Sequence, residues 1–485
     1  MVLISSLENK NEKGVYLVKL LFALIINFLI ALVCFFSLGK HEGYDLIVLL
    51  PIIFSLCLIL FHNFERLTSR YIGIKIYYYI LWIRFALMPL SFTLSLNITG
   101  KGIDPISSNI DLAVFIMVIE LITSSLIVHS LGESILLKNN LRQDFRVEEV
   151  KGRSYVFYFL FVISISLIII FPRLLDNFSF VTFNESSRTV SYFFGLDSRV
   201  LVISKMAFTC ISISYLGKLY MKKKKYLLYI LALIIGVINI MIFTGENRAT
   251  IFFTIVPTLL ILKTAFPDNE KITKYIILFS GFLILLSLSF YRIFAVTDWR
   301  PQGGTLDFSF DYLSKLLQAY LSGPRNIALG LESIKTYKSL IGFETFFSDI
   351  LIWTGYLGNF LSKTFKITFL GTSYLFNLYI YKGNMYGQGD QIVPLTIQSY
   401  AYFGVLGSAI FSMISSYLLV IFDYKICKSK TLNSIYINVM YATVLAMFMG
   451  YNISILMLYL FDRYLIFWIF DYINNKFSKV RFRFL

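Results

Sequence analysis

Uninterrupted apolar runs constrain this chain more than any other feature. Stretches such as Tyr16 to Leu38, Ser154 to Ile170 and Tyr275 to Val296 approach or exceed the roughly 20 residues a helix needs to cross about 30 Å of hydrocarbon. Inside lipid a segment must satisfy its own backbone polar groups, so such runs predict helices. A membrane barrel would show short alternating strands instead. Composition agrees: 57% of residues are hydrophobic and only 15% charged, with a mean hydropathy of +0.73. That balance lies outside the range of soluble globular domains. The expected fold is therefore all-α, a single polytopic membrane domain over residues 1–485.

About twelve spans can be delimited on this criterion. They cover 16–38, 44–63, 76–97, 110–133, 154–172, 200–220, 227–244, 250–265, 275–296, 400–422, 434–451 and 454–472. The last two are so close that Tyr451 to Ile453 must form a tight turn or kink. Residues 297–391 form a long loop inserted before the last three spans. Short basic loops are retained in the cytoplasm, and here every second loop is basic. Arg66 and Arg70, Lys138 to Arg153, Lys222 to Lys225, Lys271 and Lys274, and Lys425 to Lys430 form that set. Both termini join it, through Lys10 and Lys13 and through Lys476 to Arg483, which predicts a multi-pass protein with both ends cytoplasmic and the long loop extracytoplasmic. The first run is long and lacks a small-residue cleavage site, as expected of a signal anchor.

The net charge of +16 follows from those loops. Nucleic-acid binding would need the basic residues gathered on one soluble face, whereas here they are dispersed where lipid head groups would meet them. Nucleic acid is thus not an expected partner. His41, His62 and His129 are scattered, and Cys34, Cys57 and Cys210 lie inside spans with Cys427 in a basic loop. No spacing suits a protein-built metal site.

Candidate chemistry collects on the extracytoplasmic side. The long loop carries Arg300, Arg325, Asp307, Asp311 and Asp390. Within it Leu306 to Leu321 has a helical apolar pattern, and Phe343 to Leu361 is apolar but broken by Asp349, Gly355 and Gly358. Both are expected as short interfacial helices. Ser322-Gly323-Pro324-Arg325 reads as a helix start with Ser available as a cap. Its free amides beside a guanidinium would suit phosphate, although a solvated loop arginine is an equal alternative. The tight turn Thr244-Gly245-Glu246-Asn247-Arg248 places a charged pair between two apolar spans, where the arginine either snorkels or reaches a central cavity. The medium loop before the sixth span adds Arg173, Arg188 and Arg199. Within spans, Arg84, Glu120, Lys205, Asp462 and Arg463 should face the bundle interior; Arg84 with Glu120 is a plausible pair, and Asp462 and Arg463 compensate each other or other helices.

Three of these features occur together in one family. Thr244 to Arg248 at its outward turn, the late long loop, and Gly389-Asp-Gln-Ile-Val-Pro-Leu-Thr-Ile-Gln-Ser-Tyr-Ala-Tyr-Phe-Gly404 running into a small-residue stretch resemble the bacterial O-antigen and capsular polysaccharide repeat-unit polymerases of the Wzy type. An Arg-x10-Gly spacing found in some members occurs here at Arg292 to Gly303; the medium loop has none, since Arg199 stands eleven residues after Arg188. The resemblance implies a glycosyltransferase of the bacterial inner membrane that lengthens a glycan held on polyprenyl pyrophosphate by transferring it to a new lipid-linked repeat unit. It implies no cofactor and no metal. Arg248 and Arg325 would bind the pyrophosphate, with Arg300, Arg292 or Arg188 assisting, and Asp390 or Glu246 would be the base. Expected partners are the polyprenyl-pyrophosphate-linked oligosaccharide, membrane lipid, a chain-length regulator and a flippase. The competing readings are a flippase for the same lipid-linked oligosaccharide, an O-antigen ligase-like transferase, and a structural membrane protein.

Overall fold

The structure is a computed structural model and describes residues 2–61, 64–98, 102–139, 155–180, 196–244, 248–294, 309–351, 364, 370–383 and 391–479, with the side chains of 2–17, 155, 179–180, 243–250, 286–294 and 478–479 outside the description. Within these bounds the chain is helical apart from one pair of three-residue strands. The helices are α1 (Val2–Phe36), α2 (Asp45–Leu60), α3 (Phe64–Arg70), α4 (Ile72–Leu94), α5 (Ser107–Leu137), α6 (Tyr155–Ile170), α7 (Leu196–Lys223), α8 (Tyr226–Met241), α9 (Arg248–Ala265) and α10 (Glu270–Phe294). Then come α11 (Phe310–Leu321), α12 (Pro324–Thr336), α13 (Phe343–Leu351), α14 (Thr372–Ile380), α15 (Leu395–Phe403), α16 (Ile410–Lys428), α17 (Leu432–Ala446) and α18 (Ile453–Phe477). Strands β1 (Phe178–Phe180) and β2 (Ile242–Thr244) pair antiparallel.

Six of the described helices are long and apolar enough to cross a membrane, or up to eight if each bent pair counts once. The expected count of twelve is therefore matched only in part. Val156–Ile170, Tyr226–Met241 and Leu432–Ala446 are apolar but shorter, and the chain bends by 119° between Ile251–Ala265 and Pro267–Leu285. One of the shorter helices is also enclosed by protein. Every residue of α17 from Ile435 to Ala446 is buried, and a helix apolar on all faces belongs to a core. It packs against α4, α7, α9 and α16, so protein surrounds it on several sides. The turn expected near Tyr451 is present: Phe448–Gly450 forms a tight 3-10 turn, and the Asn452 side chain caps α18 by accepting from the Ile455 amide at 2.9 Å.

Several charges inside the bundle are partnered. Arg84 and Glu120, each 1% exposed, form the anticipated ion pair at 2.6 Å. Arg84 Nη2 also donates to the Ser322 carbonyl, and Ser412 Oγ donates to the other Glu120 oxygen at 2.7 Å. Asp462 pairs with Arg199 of α7 at 3.0 Å, with Arg463 also within electrostatic reach, and the Arg463 guanidinium lies over the Tyr459 ring. Both groups sit on π-helical turns, Ile83–Leu87 and Leu460–Leu465. Such widened turns recur at functional sites.

One end of the bundle is where the basic loops gather. There Asp423 accepts from the amides of Gly73 and Ile74 at 3.0 and 2.8 Å, and Lys224 pairs with Asp268. The opposite end carries residues 95–98 and 102–106, the β pair and helices α11 to α15. Helix α12, whose start the sequence placed at Pro324, is enclosed by protein. Residues Pro324 to Ile334 are all buried, against α5, α14 and α15. Gly330 makes this possible, since a Cβ there would stand 2.6 Å from Ile397.

Candidate functional site

Helix α11 ends at Ser322, which takes the left-handed conformation with φ of 49°. Ser322 thus closes one helix rather than capping the next, and Gly323 is the N-cap of α12 with Pro324 in its first turn. The geometry also alters the expected phosphate cradle. The Arg325 amide donates to Gln318 Oε1 at 3.2 Å, and the Asn326 side chain donates to the Gln318 carbonyl at 3.1 Å. That amide is already occupied.

The Arg325 side chain is the one predicted site group that the structure describes in full. Its guanidinium is 4% exposed and donates to the Ile103 carbonyl at 2.6 Å and to Asp104 at 3.0 Å. Asp104 is 76% exposed, so the pair has a buried cation and a wet carboxylate. One turn pair further along α12, Glu332 accepts from the Ile106 amide at 2.7 Å, from Asn109 at 2.8 Å and from the Tyr379 hydroxyl at 2.8 Å. Helix α12 thereby presents a cation and an anion to the 103–109 segment.

A second polar assembly ties the late segment to the bundle. Asp349, 1% exposed, accepts from the Thr372 amide at 2.9 Å, from the Thr372 hydroxyl at 2.6 Å and from the Tyr402 hydroxyl at 2.6 Å. Ser454 at the start of α18 donates to the Asp349 carbonyl, and Gln398 bridges Thr372 to the Ile453 amide. Gly371 is needed here, because a Cβ would meet the Asp349 carboxylate at 2.6 Å. Burial pushes the Asp349 carboxyl up to about 6, against the hydrogen bonds from Thr372 and Tyr402 that favour its charged form. Segment 391–403, which carries the family resemblance, is ordered by these contacts: Asn377 clasps Gln391 through both backbone groups, at 2.8 and 3.0 Å.

On the flank of the bundle, between α6, α7 and the β pair, a cavity of about 480 Å³ is lined mostly by apolar side chains. Its polar members are Ser164, Ser204 and Lys205. The Lys205 ammonium donates to the Asn239 carbonyl at 2.9 Å and to the Ile242 carbonyl. Ile242 opens the β2 strand, which ends at Thr244.

The structure does not bring the predicted residues together within its described part. Glu246, Asp390, Arg300 and Arg188 lie outside the described residues, and Arg248 and Arg292 fall in α9 and α10 at positions whose side chains are also outside. No group of three or more His, Cys, Asp or Glu able to hold a metal occurs among the described residues. Sequence reasoning missed Asp104, Glu332 and Tyr402, and read Asp349 only as a helix breaker. The signal for Asp349 was a carboxylate in an otherwise apolar patch. Comparison with protein-family models, with curated proteins and with solved structures finds no match to this chain.

Proposed function

We propose that this chain is a bacterial inner-membrane polysaccharide polymerase of about twelve crossings, with both termini cytoplasmic and α11 to α15 on the outer side. It transfers a growing glycan from polyprenyl pyrophosphate to the non-reducing sugar of a new lipid-linked repeat unit. The observation that carries this reading is the buried Arg325 held against an exposed carboxylate, at the bundle end opposite the basic loops. A fixed guanidinium in a water-poor setting binds phosphate oxygens strongly, and Asp104 is the exchangeable partner, because a carboxylate that is mostly solvated loses little when released to water. Twelve crossings require, beside the six long helices, that Asp45–Leu60, the three shorter helices and both arms of the 119° pair each pass the membrane once.

The chemistry needs few groups. An acceptor hydroxyl oxygen attacks the anomeric carbon, the bond from that carbon to the phosphate oxygen breaks, and polyprenyl pyrophosphate leaves with the electron pair. Asp390 or Glu246 takes the hydroxyl proton. Arg248 and Arg325, assisted by Arg300, Arg292 or Arg188, hold the departing charge, and a divalent metal is then not required. Purified protein given lipid-linked repeat units should yield a ladder of longer products. Arg325→Ala and Arg248→Ala should each abolish the ladder while protein levels in the membrane stay unchanged. Movement of the lipid without lengthening would mark a flippase. Transfer of the glycan to an acceptor that carries no pyrophosphate would mark a ligase.

A further inference from the structure

The flank cavity has a composition that glycan transfer does not explain. Its walls are Phe161, Ile165, Ile168, Leu175, Phe178 and Phe208, with Leu201 and Ile242 behind them. Ile165 and Phe208 are 57% and 55% exposed, on the bundle surface that would face lipid. A space of this size is in the range that holds small ligands. Against these walls stands one polar spot, where the Ser164 and Ser204 hydroxyls bond to each other beside Lys205.

Lys205 partly serves the fold. Its carbonyl partners are Asn239, in the last turn of α8, and Ile242, the residue just after it, where orphan acceptors collect and a cation is favoured. An ammonium has three donors, so one remains after those two bonds. Lys205 has no carboxylate partner among the described residues. Arg463 lies within electrostatic reach of Lys205 as a second positive charge. The cavity is therefore apolar on its walls, with one basic side chain, Lys205, at its polar end. An uncompensated ammonium at membrane depth is costly, and an anionic head group would offset it while the attached chain covers the apolar walls.

We infer that this cavity is a binding site for a phosphate-headed membrane lipid, with the phosphate on Lys205 and the Ser164 and Ser204 hydroxyls and the hydrocarbon chain between α6 and α7. The site does not depend on the proposed transferase activity, and its test contains no glycan.

The test titrates dodecyl phosphate into the purified full-length protein in neutral detergent and follows bound lipid by native mass spectrometry. One molecule should bind saturably, and dodecanol, which has the chain without the charge, should bind at least about tenfold more weakly. Inorganic phosphate should compete poorly. Lys205→Met should lose the preference for dodecyl phosphate over dodecanol, and Lys205→Arg should keep it. Because Lys205 also holds α8, Ile165→Trp supplies a second variant that fills the cavity without touching the ammonium, and it should abolish binding with helix content unchanged. Equal binding of the phosphate and the alcohol, or undiminished binding in Ile165→Trp, would overturn the site. Full competition by inorganic phosphate would leave a plain anion site and overturn the lipid assignment.

Discussion

Arg84 and Glu120 show how single charges hold this bundle. Their pair joins α4 to α5, reaches α16 through Ser412 and touches the Ser322 turn through its carbonyl. Removing one member strands the other charge, at a cost of about 3–5 kcal/mol. Arg84→Met should therefore lower the thermal midpoint in detergent sharply, and adding Glu120→Leu to it should restore much of the loss; a double variant no better than the single one would contradict the pairing. Asp349 behaves differently because its carboxyl is held up to about 6 by burial. The folded state binds the proton more tightly than the unfolded chain, so the associated stability is full below the unfolded value near 4 and is lost as pH rises through about 6. The burial of α13 around Asp349 should accordingly be destabilised between pH 4 and pH 7, the hydrogen bonds from Thr372 and Tyr402 offsetting only part of the cost of burying the charge. Hydrogen exchange of 343–351, corrected for intrinsic rate, should show this, and Asp349→Asn should flatten it. The sequence made the first of these charge sites legible and hid the second. Arg84 and Glu120 sit deep in neighbouring spans, where an unpaired charge is costly, so their pairing followed from depth alone. Asp349 owes its role to Thr372, Tyr402 and Ser454, which only the tertiary fold brings near.

At the level of elements, α12 departs furthest from what its residues suggest. Asn326, Glu332 and Ser333 give it a polar composition, yet each is buried, with Glu332 fully engaged by Ile106, Asn109 and Tyr379. Pattern reading assumes that polar positions face water, and it fails where a second element supplies the partners. Such a helix depends on close approach, which Gly330 provides against Ile397 of α15. Gly330→Leu should force α12 and α15 apart, costing about 1–3 kcal/mol by overpacking, and should be seen as a lowered melting temperature with the bundle helices intact. The turn into α12 carries the same lesson on a smaller scale. The Pro324 signal correctly located the helix start, but Ser322 was already committed to ending α11 in a left-handed turn.

For the whole molecule, the apolar runs foretold a helical bundle and the placement of nearly every long helix. They did not foretell which helices would be short. A core helix such as α17 is apolar for packing reasons, and hydropathy does not distinguish burial in protein from burial in lipid. The number of crossings is thus best decided by accessibility. Cysteines introduced singly at Lys338 and Lys224, both exposed, should react from opposite sides of an intact cell envelope, the first with an impermeant maleimide and the second only after the inner membrane is opened. The four native cysteines are buried or half-buried and give a low background. Reaction of both sites from one side would refute the topology.

The Asp423 clasp bears on how such a chain is made. Its carboxylate closes the open amides of Gly73 and Ile74 from 350 and 349 positions downstream. During synthesis from the N-terminus, α4 must therefore wait with its first turn uncapped until α16 emerges. The early helices are parked rather than finished, and the bundle locks only when the last quarter of the chain arrives.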